Sequence, residues 1–210
     1  ADYLKMVSSV RVAPSINIKL YIMLALVLFF VIGCCGAVLL GRLSDIVDYL
    51  LYVDKKTGLP NREKLNIYIG EMAGKVLPEA FTCFTLSLDN LSELTKRFGY
   101  TVGDGVLKDF AGLVQLMGDT EGMRGYNGVG RFVVFFEECS SKKAAAMIRI
   151  LDNQVEEYNS LNPEYPIRYT AAWATTEETD TYEIRELLRL SQKKWKQMEK
   201  EKKDKTEEET

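Results

Sequence analysis

The stretch Gly128-Val129-Gly130-Arg131-Phe132 is the most informative part of this chain. It joins two strand-like segments, Gly122–Tyr126 and Arg131–Glu137, which the sequence predicts to form an antiparallel hairpin with a tight turn. The turn carries no carboxylate, and Arg131 places a positive charge beside its second glycine. The turn therefore offers no carboxylate ligand for a divalent metal.

The segments around the hairpin alternate between strands and helices. In chain order the sequence predicts strand Phe81–Leu88, helices Leu91–Phe98 and Asp104–Met117, the hairpin, helix Ser141–Tyr158, strand Ile167–Ala174 and a helix from Thr181. A β-α-β-β-α-β order with one added helix is typical of an α+β, ferredoxin-like domain with an antiparallel central sheet. Residues 201–210 are almost entirely charged, which predicts a disordered tail.

Composition excludes several classes of function. The 210 residues suffice for one domain and a few extra elements, and the net charge is −3. The basic patch of a nucleic-acid binder is absent, so nucleic acid is not an expected partner. The sequence contains no histidine, which excludes histidine-dependent catalysis. Its four cysteines show no CxxC spacing and are interpreted as small apolar residues rather than metal ligands or disulfides.

A long apolar segment near the start predicts a membrane anchor. Leu20 to Leu40 comprises 21 residues without a charge, enough for a helix of about 30 Å to span the hydrocarbon core. The predicted order is an extracytoplasmic stub at 1–19, which we expect to be the end of a longer region, and a transmembrane helix at 20–41. The positive charges on the two sides are too evenly divided to fix the orientation.

The residues after the membrane helix show apolar residues at helical spacing, which predicts a juxtamembrane helix at 42–53. Two roles are open for it: transmitting a movement from the membrane, or covering an apolar patch of the following domain. Within the membrane helix, Gly33, Ala37 and Gly41 recur every four residues. Such a stripe permits close helix approach in a homo-oligomer, although a chance recurrence explains it equally well.

Three further motifs give the domain a family resemblance. Asp54 to Arg62 reads D-K-K-T-G-L-P-N-R and resembles the opening motif D-x-L-T-G-L-x-N-R of GGDEF (diguanylate cyclase) domains, departing from it at Lys56. Leu86–Leu91 and Phe98–Asp104 resemble the motif D-x-D-x-F-K-x-x-N-D-x-x-G-H-x-x-G-D. The stretch Gly128–Phe132 stands where the family carries Gly-Gly-Asp/Glu-Glu-Phe. The resemblance implies a degenerate GGDEF domain at 54–200.

The resemblance also assigns positions for metal binding. The metal-binding carboxylates of the family fall on Ser87 and Gly130, and the second acidic position of the turn falls on Arg131. A serine is a weak ligand, a glycine supplies none, and an arginine cannot ligate Mg²⁺. We therefore expect no catalytic residues, no metal site, no cofactor, and the loss of Mg²⁺ and GTP binding.

Guanine recognition in the family uses an amide and a carboxylate, which fall on Thr95 and Asp104. Only the carboxylate is retained. Asp89, two residues beyond Ser87, is the one carboxylate that could still hold a metal, and a turn or capping role is the simpler interpretation. The candidate nucleotide-binding residues are therefore Asp104, Arg131 and Asp89. Glu199 falls near the position of a phosphate-binding lysine in the last helix.

A second resemblance concerns the segment before the domain. Val10–Lys19, the following apolar helix and Gly41–Asp45 are similar to the last outer segment and second membrane helix of polysaccharide copolymerases, the chain-length determinants. The match covers about forty residues. It implies a link to exopolysaccharide synthesis or export.

Four functions are consistent with these residues. The first is a membrane-anchored, catalytically inactive pseudo-cyclase that regulates or scaffolds a membrane assembly, as a homo-oligomer or with a protein partner, its GGDEF domain lying in the cytoplasm with the nucleotides. The second is a sensor that binds a nucleotide or cyclic di-GMP without turnover. The third is residual cyclase activity through Asp89. The fourth is a structural cap on a copolymerase-like membrane protein.

Overall fold

The computed structural model describes residues 18–118 and 122–208, which contacts divide into two units, one ending at Asp48 and one beginning at Tyr49. The predicted stub at 1–17 and the last two residues of the predicted tail lie outside the described residues. The α+β fold with an antiparallel sheet is confirmed. The borders of the stub, the anchor and the domain remain predictions.

Helix α1 spans Ile18–Tyr52 without a break. It is long and apolar enough to be a candidate membrane span, and its side chains are almost all exposed. At 1.5 Å per residue the helix is about 50 Å long, whereas a hydrocarbon core is about 30 Å thick. The predicted membrane helix at 20–41 and the predicted juxtamembrane helix at 42–53, up to Tyr52, are therefore parts of one helix, which no proline interrupts.

The opening motif forms a tight loop that leads into helix α2, Arg62–Met72. The Asp54 carboxylate accepts hydrogen bonds from the backbone N–H of Thr57 at 2.9 Å and from its hydroxyl at 2.9 Å. Asn61 caps α2 by accepting from the backbone N–H of Lys64 at 3.1 Å. Gly58, with a φ of 72°, allows the chain to reverse. The motif is thus explained by local hydrogen bonding, although the helix that it starts was not predicted from the sequence.

Four antiparallel strands form the sheet of the described domain, in the order β2-β3-β1-β4. Strand β1 spans Thr82–Leu88, β2 Gly122–Gly128, β3 Arg131–Phe136 and β4 Tyr169–Thr175. All seven residues of β1 are buried, since helices cover both faces of the sheet. The remaining helices are α3 at Leu91–Phe98, α4 at Tyr100–Gln115, α5 at Ser141–Leu161, the short α6 at Thr176–Thr179 and α7 at Ile184–Glu208.

Several helix boundaries differ from the sequence prediction by two residues or more; α5, for example, ends at Leu161 rather than Tyr158. Helix α4 begins at Tyr100 rather than Asp104, because Gly99, with a φ of 90°, both ends α3 and precedes α4. Helix α7 continues to Glu208, so the prediction of a disordered tail is wrong for residues 201–208. Its face of Ile184, Leu187 and further buried residues holds the helix on the sheet.

Each sheet face has its own core. On one face α4 and α5 pack against strand residues around Phe84, Phe132 and Phe136. On the other face α2 and α7 pack against Cys83, Val133 and Phe135. Helix α2 lies so close to β2 that a Cβ on Gly125 would meet the Leu65 side chain at 2.4 Å. A cleft lies at one end of the sheet, between α3 and the last turns of α7.

The predicted hairpin closes through Val129 and Gly130, with φ angles of 51° and 71°. Two positive φ angles are typical of a type I′ turn, whose twist matches that of the strands. Glycine adopts this conformation easily, but a β-branched residue does so only with strain. Val129 is also 81% exposed, so burial does not compensate for the strain.

We therefore expect Val129→Gly to raise the free energy of unfolding by about 1 kcal/mol, since relief of the strain outweighs the greater freedom of glycine in the unfolded chain. For a protein of this size the melting temperature should rise by about 2–4 °C. Both tryptophans lie in the domain, so their fluorescence reports its unfolding. Val76→Gly, at an exposed loop position outside the left-handed region, is the control and should not stabilise. Equal effects of the two changes would contradict the strain.

Candidate functional site

An open cleft of about 1100 Å³ lies where β1 ends and β4 begins, beside α3 and the last turns of α7. Strand β1 stops at Leu88, and the backbone N–H of Asp89 then donates to the Arg168 carbonyl at 2.8 Å. Ser87 and Asp89 line the cleft from β1, and Thr170 lines it from β4. Polar groups therefore collect at the strand ends.

The register of the sheet determines which side chains meet there. Ser87 pairs with Arg131 on β3 and with Thr170 on β4. Paired residues of antiparallel strands point to the same face, so these three form a row across the sheet. Their face is the one that α7 covers, because Thr85, two residues earlier on β1, contacts Ser191 of α7 at 2.8 Å through its hydroxyl.

Lys202 of α7 reaches this row. Its ammonium donates to the Tyr169 carbonyl at 2.8 Å and to the Thr170 hydroxyl at 2.8 Å, and it lies 3.7 Å from a carboxylate oxygen of Asp89. The Thr170 hydroxyl donates in turn to Asp89 at 2.7 Å. A cation is therefore surrounded by three oxygens at the ends of β1 and β4.

Asp89 belongs to this network and does not cap α3, since it bonds to β4 and α7 instead. Burial raises the pKa of Asp89 above its ordinary value, while the hydrogen bond from Thr170 and the charge of Lys202 act in the opposite direction. The nearby carboxylate of Glu199 raises the pKa of Asp89 further. The side chain of Asp89 remains 31% exposed, so it is accessible from the cleft.

Asp104 does not line the cleft. Its carboxylate pairs with the ammonium of Lys56 at 2.8 Å, and both side chains are about half exposed. Lys56 is the residue at which the opening motif departs from the pattern D-x-L-T-G-L-x-N-R. The substitution thus brings a positive charge onto the candidate base-reading carboxylate, which raises the pKa of Lys56.

The other positions assigned from the sequence lie around the cleft. Thr95 and Glu199 line it, next to Lys96 and Tyr100, and the Thr95 hydroxyl donates to the Leu91 carbonyl at 2.8 Å rather than into the cleft. Of the candidate nucleotide-binding residues, only Asp89 lines the cleft, whereas Asp104 and Arg131 lie outside its lining. The structure therefore does not bring the three candidates together.

Comparison with known proteins identifies the domain. The family model described as diguanylate cyclase, GGDEF domain, matches residues 51–205. The chain belongs to the GGDEF-domain family. No curated protein sequence matches it.

Several solved structures share the GGDEF fold. The Vibrio cholerae LapD S helix-GGDEF-EAL protein bound to c-di-GMP is 14% identical to this chain, with a TM-score of 0.53. The match covers 64% of this chain and 31% of the solved LapD chain, so this chain spans about a third of that solved chain. The coiled coil and GGDEF domain of DgcB from Caulobacter crescentus, in complex with c-di-GMP, is 15% identical over 71% and 82%, with a TM-score of 0.59. Pseudomonas aeruginosa SiaD, in complex with its activator SiaC, is 15% identical over 86% and 73%, with a TM-score of 0.53.

The residues of this GGDEF domain do not fit the Mg²⁺ that a cyclase would require. The two positions assigned to metal ligands offer a hydroxyl at Ser87 and no side chain at Gly130. A Cβ added at Gly130 would meet the Leu88 carbonyl oxygen at 3.1 Å. Two cationic residues, Arg131 and Lys202, lie on the same sheet face as Ser87. Mg²⁺ prefers carboxylate oxygens and is repelled by cations.

The structure adds residues that sequence reasoning missed. Lys202 and Thr170 form the polar network, and Arg168 lines the cleft in an ion pair with Glu93. A signal for Lys202 was present, since it continues the helical spacing of Ser191 and Trp195 on the buried face of α7. The charged run around it obscured that periodicity.

The raised pKa of Asp89 predicts a pH-dependent stability. Since the folded-state pKa exceeds 3.8, the ordinary value, the fold favours the protonated carboxyl. The resulting contribution to the free energy of unfolding is complete below pH 3.8 and is lost as the pH rises through the raised pKa. We expect the free energy of unfolding of the wild type, minus that of Asp89→Asn, to fall as the pH is raised and then to level off. Urea unfolding at a series of pH values measures it, and a difference that rises with pH would contradict the dominance of burial.

Proposed function

We propose that this chain is a membrane-anchored GGDEF-domain module of cyclic di-GMP signalling that lacks cyclase activity and acts through protein contacts as a regulator or scaffold. The observation that carries the proposal is the ammonium of Lys202 on the strand ends beside Ser87. Cyclase chemistry would require a metal in this region. The ammonium of Lys202, which contacts Thr170 and Asp89 in the same cleft, supports the loss of that metal.

The chemistry of nucleotidyl transfer supports the loss of activity. Two-metal transfer depends on carboxylates that bridge the metals and orient the phosphates. The assigned ligand positions, Ser87 and Gly130, provide none. Asp89 alone is retained, and it is already engaged with Thr170 and Lys202. Residual cyclase activity through Asp89 would have to break both of these interactions.

The state of Asp104 supports the same conclusion for base recognition. A carboxylate reads guanine by accepting hydrogen bonds, and the Asp104 carboxylate accepts from Lys56. The amide expected beside it is replaced by Thr95, whose hydroxyl donates to its own helix. A guanine base would therefore compete with an ion pair and find half of its usual partners.

The structural neighbours support a signalling role. LapD and DgcB are described with c-di-GMP, and SiaD is described with an activator protein. For this chain they favour cyclic di-GMP signalling and a protein partner, or a second copy, as the element it acts upon. A GGDEF domain that works with intracellular nucleotides lies in the cytoplasm, with α1 as its anchor. The copolymerase resemblance extends the proposal to exopolysaccharide synthesis or export.

A second function, that of a sensor, is favoured by the cleft itself. Its volume of about 1100 Å³ and the Lys96 side chain in its lining suit a phosphate-bearing ligand. We expect calorimetry of the full chain in detergent micelles to show no heat with GTP or cyclic di-GMP up to about 1 mM if the scaffold function is correct. Binding that Arg131→Ala abolishes would instead establish the sensor. Binding unaffected by Arg131→Ala would establish a sensor that does not use the turn.

Loss of cyclase activity is tested by turnover. The full chain in detergent micelles, incubated with GTP and Mg²⁺ or Mn²⁺, should form no cyclic di-GMP detectable by mass spectrometry, because the two assigned ligand positions, Ser87 and Gly130, supply no carboxylate. Asp89→Asn serves as the matched control. Formation of cyclic di-GMP by the wild type that Asp89→Asn abolishes would contradict the proposal and establish residual cyclase activity.

A further inference from the structure

The cation at the strand ends has the surroundings of a bound metal ion. The ammonium of Lys202 contacts a hydroxyl, a backbone carbonyl and a carboxylate, from Thr170, Tyr169 and Asp89. These three oxygen types are the ligands that hard divalent cations select. Glu199 lines the same cleft one helical turn before Lys202 and adds negative charge near Asp89.

The ammonium is also held in place by structure on both sides. Thr170 is 1% exposed, and its backbone is fixed by pairing with Ser87. Helix α7 is anchored on the sheet by the buried residues Ile184, Leu187 and Trp195, and Lys202 lies on the same face two turns beyond Trp195. The buried residues in the first half of α7 therefore fix the helix from which Lys202 reaches the oxygens.

We propose that the ammonium of Lys202 is a resident cation that takes the place of a divalent metal at the ends of β1 and β4 and excludes such a metal from the cleft. One charge neutralises Asp89 and satisfies the oxygens without a dissociable ion, although the Lys202 side chain is 54% exposed. The inference rests on the proposed loss of cyclase activity and explains how the carboxylate of Asp89 persists in a partly buried site.

The mechanism of exclusion is electrostatic and steric. A divalent ion at the same oxygens would lie within a few ångströms of the ammonium, and like charges at that separation repel strongly in a partly desolvated site. Removing the ammonium leaves the oxygens of Asp89, Thr170 and Tyr169, with Glu199 nearby. This set resembles the weak oxygen sites that bind divalent ions.

Manganese binding tests the inference. Mn²⁺ titrated into the full chain in detergent micelles, without nucleotide, is followed by the loss of the free-ion signal in electron paramagnetic resonance. We expect no binding by the wild type up to about 1 mM, and binding by Lys202→Ala and Lys202→Met with a dissociation constant of about 1 mM or below, in the range of weak oxygen-ligand sites. Adding Asp89→Asn to either variant should abolish the gain.

Controls separate the outcomes. Lys200→Ala, an exposed change on the same helix, should behave like the wild type. Lys202→Met retains the apolar stem, so it carries the test if the alanine variant fails to fold by circular dichroism. Mn²⁺ binding by the wild type, or folded Lys202 variants that bind none, would overturn the inference. Cyclase turnover is measured separately with GTP, so a failure of the proposed function is distinguishable from a failure of this inference.

Discussion

The pairing of β1 with β3 on one side and β4 on the other is the constraint on which the rest of the structure depends. It places Ser87 between Arg131 and Thr170 and ends β1 where Asp89 reaches β4. Helices on both faces bury β1 completely, so a shift of its register by one residue would turn the large side chains of Phe84 and Leu86 onto the face where Thr85 packs under α7. The chemistry of the cleft is therefore set by the sheet rather than by flexible loops.

Two lysines of this chain engage polar groups around the cleft. Lys56 occupies the carboxylate of Asp104, and Lys202 occupies the oxygens at the ends of the strands. In each case a lysine of this chain lies beside a carboxylate of the candidate nucleotide-binding set, Asp104 or Asp89. This pairing supports the proposed function, in which the domain acts through protein contacts.

Local patterns predicted much of the fold, and distant contacts account for what they missed. The predicted bounds of helix α3, Leu91–Phe98, are those of the structure, because Asn90 precedes the helix and Gly99 ends it. The start of α4 was misplaced, because glycines within its first turns obscured the helical pattern. Lys202 contacts strand β4 more than thirty residues away in sequence. The charged run around Lys202 obscured its helical spacing from Ser191 and Trp195, so the key residue of the cleft was missed.

A crystal of the full chain soaked in Mn²⁺ tests most directly whether the Lys202 ammonium is the cation at the strand ends. We expect the Lys202 ammonium within hydrogen-bonding distance of the Thr170 hydroxyl and the Tyr169 carbonyl, with no anomalous manganese peak between Ser87 and Asp89. A manganese peak on Asp89, with Lys202 displaced into solvent, would contradict the claim and restore a metal to this site.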